Sequence, residues 1–114
     1  MDHLTPKYEQ EVRRFRDVLP RQIAVRVRRS EDGGFVATVT SLSGLHTEGD
    51  TFSELIDMVN DAVYTYHDIP EKLRSFVPTY VPPFSMAQEL GLFPVSREEE
   101  DVTMQLAVGA NSAR

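Results

Sequence analysis

The chain has 114 residues, no cysteine and no tryptophan, and a formal net charge of −6. That length supports one modest core and a single domain, and the lack of cysteine excludes disulfides, thiol nucleophiles and cysteine-based zinc sites. Net negative charge opposes the polyanionic backbone of DNA or RNA and favours a basic protein partner.

The opening MDHLTPKYEQ has neither the basic nor the apolar region of a secretory leader. No apolar run in the chain is long enough to span a bilayer, so the expectation is a cytoplasmic protein with no membrane association. Thr5 and Pro6 then form a helix start, with threonine as cap and proline at the first helical position. Tyr8, Val12, Phe15 and Leu19 recur at helical spacing and Pro20 ends the pattern, predicting a helix over 6–18 within an amino-terminal segment 1–20.

Ile23, Val25 and Val27 alternate with Ala24, Arg26 and Arg28, the pattern of a half-buried strand with one basic face. Ser30-Glu31-Asp32-Gly33-Gly34 is turn chemistry, and residues 35–39 make the second strand of an antiparallel hairpin. Ser41-Leu42-Ser43-Gly44 reads as a turn, because it has neither the context nor the partner histidine of a nucleophilic serine. Gly44 and Gly49 bracket a short third strand around Leu45-His46-Thr47.

Thr51 and Glu54 form a capping box at the start of a long helix. Phe52, Leu55, Ile56, Val59, Val63 and Tyr66 make its apolar stripe, and Pro70 stops it near His67 or Asp68. Residues 70–101 are a proline-rich connection, with short helical turns predicted at 70–76 and 85–90. Residues 102–108 alternate as a last strand, and 109–114 are a terminal tail.

This order predicts an α+β fold: a three-stranded antiparallel meander, a long helix on one face, and a late fourth strand, with an added amino-terminal helix. A right-handed crossover would place the last strand beside the first and parallel to it, giving sheet order 3-2-1-4. Residues 79–81 compete for that edge. The exposed edges of such a sheet, the third strand and residues 102–108, predict a homodimer or higher homo-oligomer.

Charge is divided along the chain. Residues 1–30 carry eight basic groups against four acidic ones, +4, and residues 31–114 carry −10. Glu54, Asp57, Asp61 and Asp68 follow a helical spacing and form one acidic face, read either as a solvated surface or as a partner-binding surface. Arg13, Arg14, Arg16, Arg26 and Arg28 are a candidate nucleic-acid footprint, without interleaved aromatics on the strand. His3, His46 and His67 are too scattered to form a metal or catalytic cluster, and His67 sits where an imidazolium would suit the helix dipole.

Gly33, Gly34, Phe35, Val36, Ala37 and Gly44, followed by Thr47, Glu48, Gly49, Asp50, Thr51 and Glu54, form a distinctive run. It resembles the core of the HicB-like antitoxin family, in which a GG-aromatic-V-A strand leads through a glycine loop to T-E-G-D-T-x-x-E. The resemblance covers roughly residues 22–67, and Thr40, Ser43 and Leu45 stand where the family often has proline, proline and cysteine. It implies part of a ribonuclease-H-like sheet and an antitoxin that binds and occludes a HicA-like toxin, a small basic messenger-RNA endonuclease.

Ribonuclease-H chemistry itself needs carboxylates on the first strand, the helix and the fourth strand. The strand IAVRVR offers arginines instead, Glu54 is explained by its cap, and residues 102–108 contain no acid. No enzyme activity, metal or cofactor is therefore expected. Many relatives in that family also carry a DNA-binding element, but the proline content after residue 70 predicts no sequence-specific DNA binding by this chain. The competing reading is a stand-alone HicB-like adaptor or nucleic-acid-binding module with no cognate toxin.

Overall fold

The structure, a computed structural model, describes residues 6–83 and 100–107. The capping residue Thr5, His3, the helical turn expected at 85–90, the last residue of the strand expected at 102–108 and the tail 109–114 lie outside the described residues. Residues Pro6–Val18 form the first helix, α1, over the expected span. Val12 and Leu19 are buried, with Tyr8 and Phe15 packed partly buried against the same core. Arg13, Arg14 and Arg16 occupy its exposed side.

The strand β1 (Gln22–Arg29) pairs antiparallel with β2 (Phe35–Val39), with Arg29 opposite Phe35. The loop closes through the Ser30 N–H to the Gly34 carbonyl, 2.8 Å, and the Gly33 N–H to the Ser30 carbonyl, 3.1 Å. Gly33 holds φ +101°, a backbone conformation that a side chain would strain. After the turn at 40–44, β3 (Leu45–Gly49) pairs antiparallel with β2, Thr47 opposite Ala37.

The long helix α2 (Phe52–Tyr66) starts on the expected reciprocal cap. Thr51 Oγ1 accepts the Glu54 N–H at 3.0 Å, and Glu54 Oε1 accepts the Asp50 N–H at 2.7 Å, one residue before the cap. Gly49 permits the tight entry, because a Cβ there would sit 2.7 Å from the Leu55 nitrogen. The helix ends before Pro70, in a Schellman motif: the Ile69 N–H meets the Tyr64 carbonyl and the Asp68 N–H meets the Thr65 carbonyl, both at 3.0 Å. Asp68 takes the left-handed position at φ +59°, so it leaves the helix.

A 3₁₀ turn (Glu71–Phe76) occupies the first predicted helical turn, and two strands, β4 (Tyr80–Val81) and β5 (Glu100–Leu106), complete the sheet. The α+β architecture is as expected: meander, long helix, and a late strand beside the first. The full order is β3-β2-β1-β5-β4, with every neighbouring pair antiparallel.

Two details depart from the sequence reading. The late strand β5 lies beside β1 but runs antiparallel to it. The crossover through α2 delivers the chain to β4, which runs in the same direction as β1 and β3 at the far edge. β5 is the return strand inserted between β4 and β1. Residues 79–81 therefore hold the outer edge, and β5 is interior. Apolar alternation marks a strand but carries no information on its direction.

One sheet face packs on α2. Ile23, Val25 and Val27 of β1, Phe35, Ala37 and Val39 of β2, and Val102 and Met104 of β5 share a core with Leu55, Val59 and Val63. Full burial of such a side chain stabilises by about 1.5–3 kcal/mol as an upper bound. Tyr66, expected in the stripe, is 44% exposed, while Asn60 and Tyr64 are buried. The cause is tertiary: Tyr64 and Asn60 meet residues 78–80 on that flank of the helix. Among the described residues the opposite sheet face is open, presenting Gln22, Ala24, Arg26 and Arg28.

Candidate functional site

Phe52, Ile56, Asn60 and Tyr64 recur every fourth residue, so they form a row along one flank of α2. The carboxamide of Asn60 Nδ2 donates to the Tyr80 carbonyl at 3.0 Å, and its Oδ1 accepts the Tyr80 N–H at 2.6 Å. Nδ2 also donates to the Ile56 carbonyl at 3.0 Å. Tyr64 Oη donates to the Pro78 carbonyl at 2.9 Å, and Tyr80 Oη donates to the Pro20 carbonyl. Burial pushes both phenols above their ordinary pKa, against a smaller opposing pull from Arg74 on Tyr64. Both are therefore neutral donors at physiological pH.

These bonds hold residues 77–81 beside α2 and leave a groove of about 520 Å³ between them. Ile56, Asn60 and Tyr80 contribute to its lining, together with the half-exposed Val81. Asp57, Asp61 and Glu71 bring three carboxylates to it, and Arg74 is the one cation among the described lining residues. Arg74 is committed inside the fold. Its Nη1 pairs with Asp61 Oδ1 at 2.7 Å, and its Nε donates to the Ile69 carbonyl at 3.0 Å.

The four acids singled out by helical spacing thus have different fates. Glu54 is engaged in the cap and Asp61 in the Arg74 pair. Asp57 is exposed and in no ion pair among the described residues. Asp68, beyond the helix end in the left-handed position, does not share their face. Glu71, Arg74 and Asn60 were not legible as site residues. For Asn60 the row Phe52-Ile56-Asn60-Tyr64 was the available signal, since it puts an amide in line with apolar and aromatic neighbours.

The five candidate arginines do not come together. Arg26 and Arg28 alternate with the buried residues of β1, so they project from the open sheet face. Arg13, Arg14 and Arg16 belong to α1, which shares the core on the other side and contacts the 3₁₀ turn. Arg26 Nε is further paired with Asp101 Oδ1 at 2.9 Å.

The histidines are also separate. His46 Nδ1 lies 3.0 Å from Thr38 Oγ1 on the open face. His67 Nε2 is buried and without a partner among the described residues. Burial holds the His67 pKa below its ordinary value, outweighing the opposite pull of Asp68. The imidazolium expected to face the helix dipole is thereby disfavoured. No group of three or more His, Asp or Glu among the described residues is placed to hold a metal ion. None of the described helices is long and apolar enough to cross a membrane.

Fold and site define an α+β protein with one helix-covered sheet face and an acid-walled groove at the flank of that helix. Similarity to known proteins narrows this class. Over 53 residues the chain is 31% identical to a UPF0150 protein of Archaeoglobus fulgidus, spanning 46% of this chain and 77% of that protein. Over 52 residues it is 38% identical to a UPF0150 protein of Synechocystis sp., spanning 43% of this chain and 66% of that protein. The chain belongs to the UPF0150 family. No family model matches it, and no solved structure matches it.

Proposed function

We propose that the protein is a non-catalytic cytoplasmic binding protein that captures and occludes a small basic toxin, as the antitoxin half of a HicA–HicB-like pair does. The acid-walled groove carries this reading. Asp57, Asp61 and Glu71 surround an apolar floor, and Arg74 is already committed to Asp61. Such a surface speeds encounter with a basic partner and suppresses acidic ones. Support also comes from UPF0150 membership and from the HicB-like run between Gly33 and Glu54. That run supplies the hairpin turn, β3 and the helix cap in this fold. A nucleic-acid role draws less support, because the candidate arginines face different sides of the molecule.

The test is a titration of the folded chain with the product of a toxin-like reading frame beside its gene. Toxin-dependent messenger-RNA cleavage is the second readout. A stable complex and inhibited cleavage are expected. Asp57→Lys should slow association at low salt, with the difference shrinking as salt screens the exposed charge. Asp57 is the informative position, since Asp61 and Glu54 both hold bonds within the fold. A folded protein that neither binds nor inhibits such a toxin overturns the reading. An unchanged association rate for Asp57→Lys returns this helix face to a solvated surface.

A further inference from the structure

The two edges of the sheet are finished differently. At the β4 edge, Thr79 and Val81 face β5, as shown by the Ala107 N–H donating to the Thr79 carbonyl at 2.8 Å. The amide groups of Tyr80 point the other way, where a further strand would pair. Both are taken by the Asn60 carboxamide, which stands in for a neighbouring peptide group. That edge is closed by a side chain.

Among the described residues the β3 edge has no such cover. Thr40 N–H donates to the Ala24 carbonyl at 2.9 Å, so the even-numbered residues of β2 turn their amide groups to β1. Its odd-numbered residues therefore face β3, where Phe35, Ala37 and Val39 stand opposite Gly49, Thr47 and Leu45. The N–H and C=O of His46 and Glu48 are left pointing outward, and no described strand lies beyond them. The strand LHTEG has no proline, lysine or bulge of the kind that guards an edge.

We propose that β3 pairs antiparallel with β3 of a second copy of this chain about a two-fold axis at Thr47, joining two sheets into one. Only registers that bring outward amide groups together are allowed. Centring on His46 sets histidine against histidine, and centring on Glu48 sets two carboxylates face to face. Centring on Thr47 places His46 opposite Glu48 of the second copy twice, both on the exposed face, and sets Leu45 against Gly49. Met58 lies about 200° around α2 from Asn60, on the flank turned away from β4. It is apolar yet 39% exposed, and it would be covered as the two helices approach. This interface is independent of the acidic groove, which lies on the other flank.

The measurement is molar mass by sedimentation or light scattering across a wide concentration range. Wild type should reach twice the 12.9 kDa chain mass. Glu48→Pro removes an outward N–H without touching the β2 ladder, and proline is tolerated at such edge positions. It should be a folded monomer. Glu48→Lys loses the cross-strand pair at two symmetric places and should weaken association roughly tenfold. The swap His46→Glu with Glu48→Lys reverses the pair and should restore the dimer. A wild-type monomer at every concentration overturns the proposal. So does a dimer that persists in folded Glu48→Pro, or a charge swap no tighter than Glu48→Lys if the proline variant fails to fold.

Discussion

The β3 and β4 edges bound the same sheet, yet their origins differ. β3 follows β2 by a turn of five residues and pairs with it through all five of its own. β4 is two residues long, and its outer amide groups are held by a helix side chain 20 positions earlier. One edge is assembled from neighbouring sequence and left open by the described residues; the other is assembled from distant sequence and sealed. A strand too short to be specified by pattern is fixed where a buried amide supplies the missing peptide partner.

The largest way to break that contrast is Asn60→Ala. It removes both partners of Tyr80 from a buried site and leaves its N–H and C=O unsatisfied. A loss of about 2–4 kcal/mol in unfolding free energy follows from the desolvation of such groups. The Tyr80 amide should also lose its protection from hydrogen exchange, bringing the β4 edge nearer to the state of β3. Urea unfolding with exchange measurements checks both, and a loss within a few tenths of a kcal/mol would show that the carboxamide is dispensable.

A smaller effect is expected at the β3 end. Gly49→Ala pushes a Cβ to 2.7 Å from the Leu55 nitrogen, and backbone cannot yield as a flexible side chain does. Overpacking of this kind costs about 1–3 kcal/mol. The outward amide groups of His46 and Glu48 are untouched, so the edge should stay open while the midpoint of unfolding falls. Unchanged stability would mean that α2 can shift away from β3 freely.

The mildest prediction separates the two ends of α2 by pH. His67 stands at the carboxy-terminal end, where the chain departs for β4, and its folded-state pKa is lowered by burial. The unfolded chain therefore binds a proton more readily. Stability from the neutral ring is fully present above the unfolded value of roughly 6.5 and is lost as pH falls through the folded value. His67→Gln should flatten the decline in urea midpoint between neutral pH and about pH 5. An equal acid decline in wild type and variant would place the sensitivity elsewhere.

Local signals were read correctly wherever neighbouring residues settle the structure. The span of α1, the glycine turn before Phe35, the Thr51–Glu54 cap and the stop before Pro70 all rest on contacts within a few positions. Spacing arguments failed where the chain bends or where a distant segment arrives. Asp68 was counted on the helix face although the Schellman turn removes it, and Tyr66 was counted in the core although it stays 44% exposed among the described residues. Of the candidate site, Asp57 and Asp61 were visible as a helical acid stripe, but the groove was not, because its other wall comes from residues 71–81.

Sequence by itself determined the types of the long elements, the strand faces and the acidic surplus, since periodicity, caps and charge are local properties. Only the tertiary structure decided the direction of β5, the burial of Asn60 and Tyr64, and the division of the arginines between two sides. Each of those depends on which distant segment packs against which flank. The reason is energetic: two residues of β4 have too little pattern to specify their place, and hydrogen bonds from buried side chains supply it.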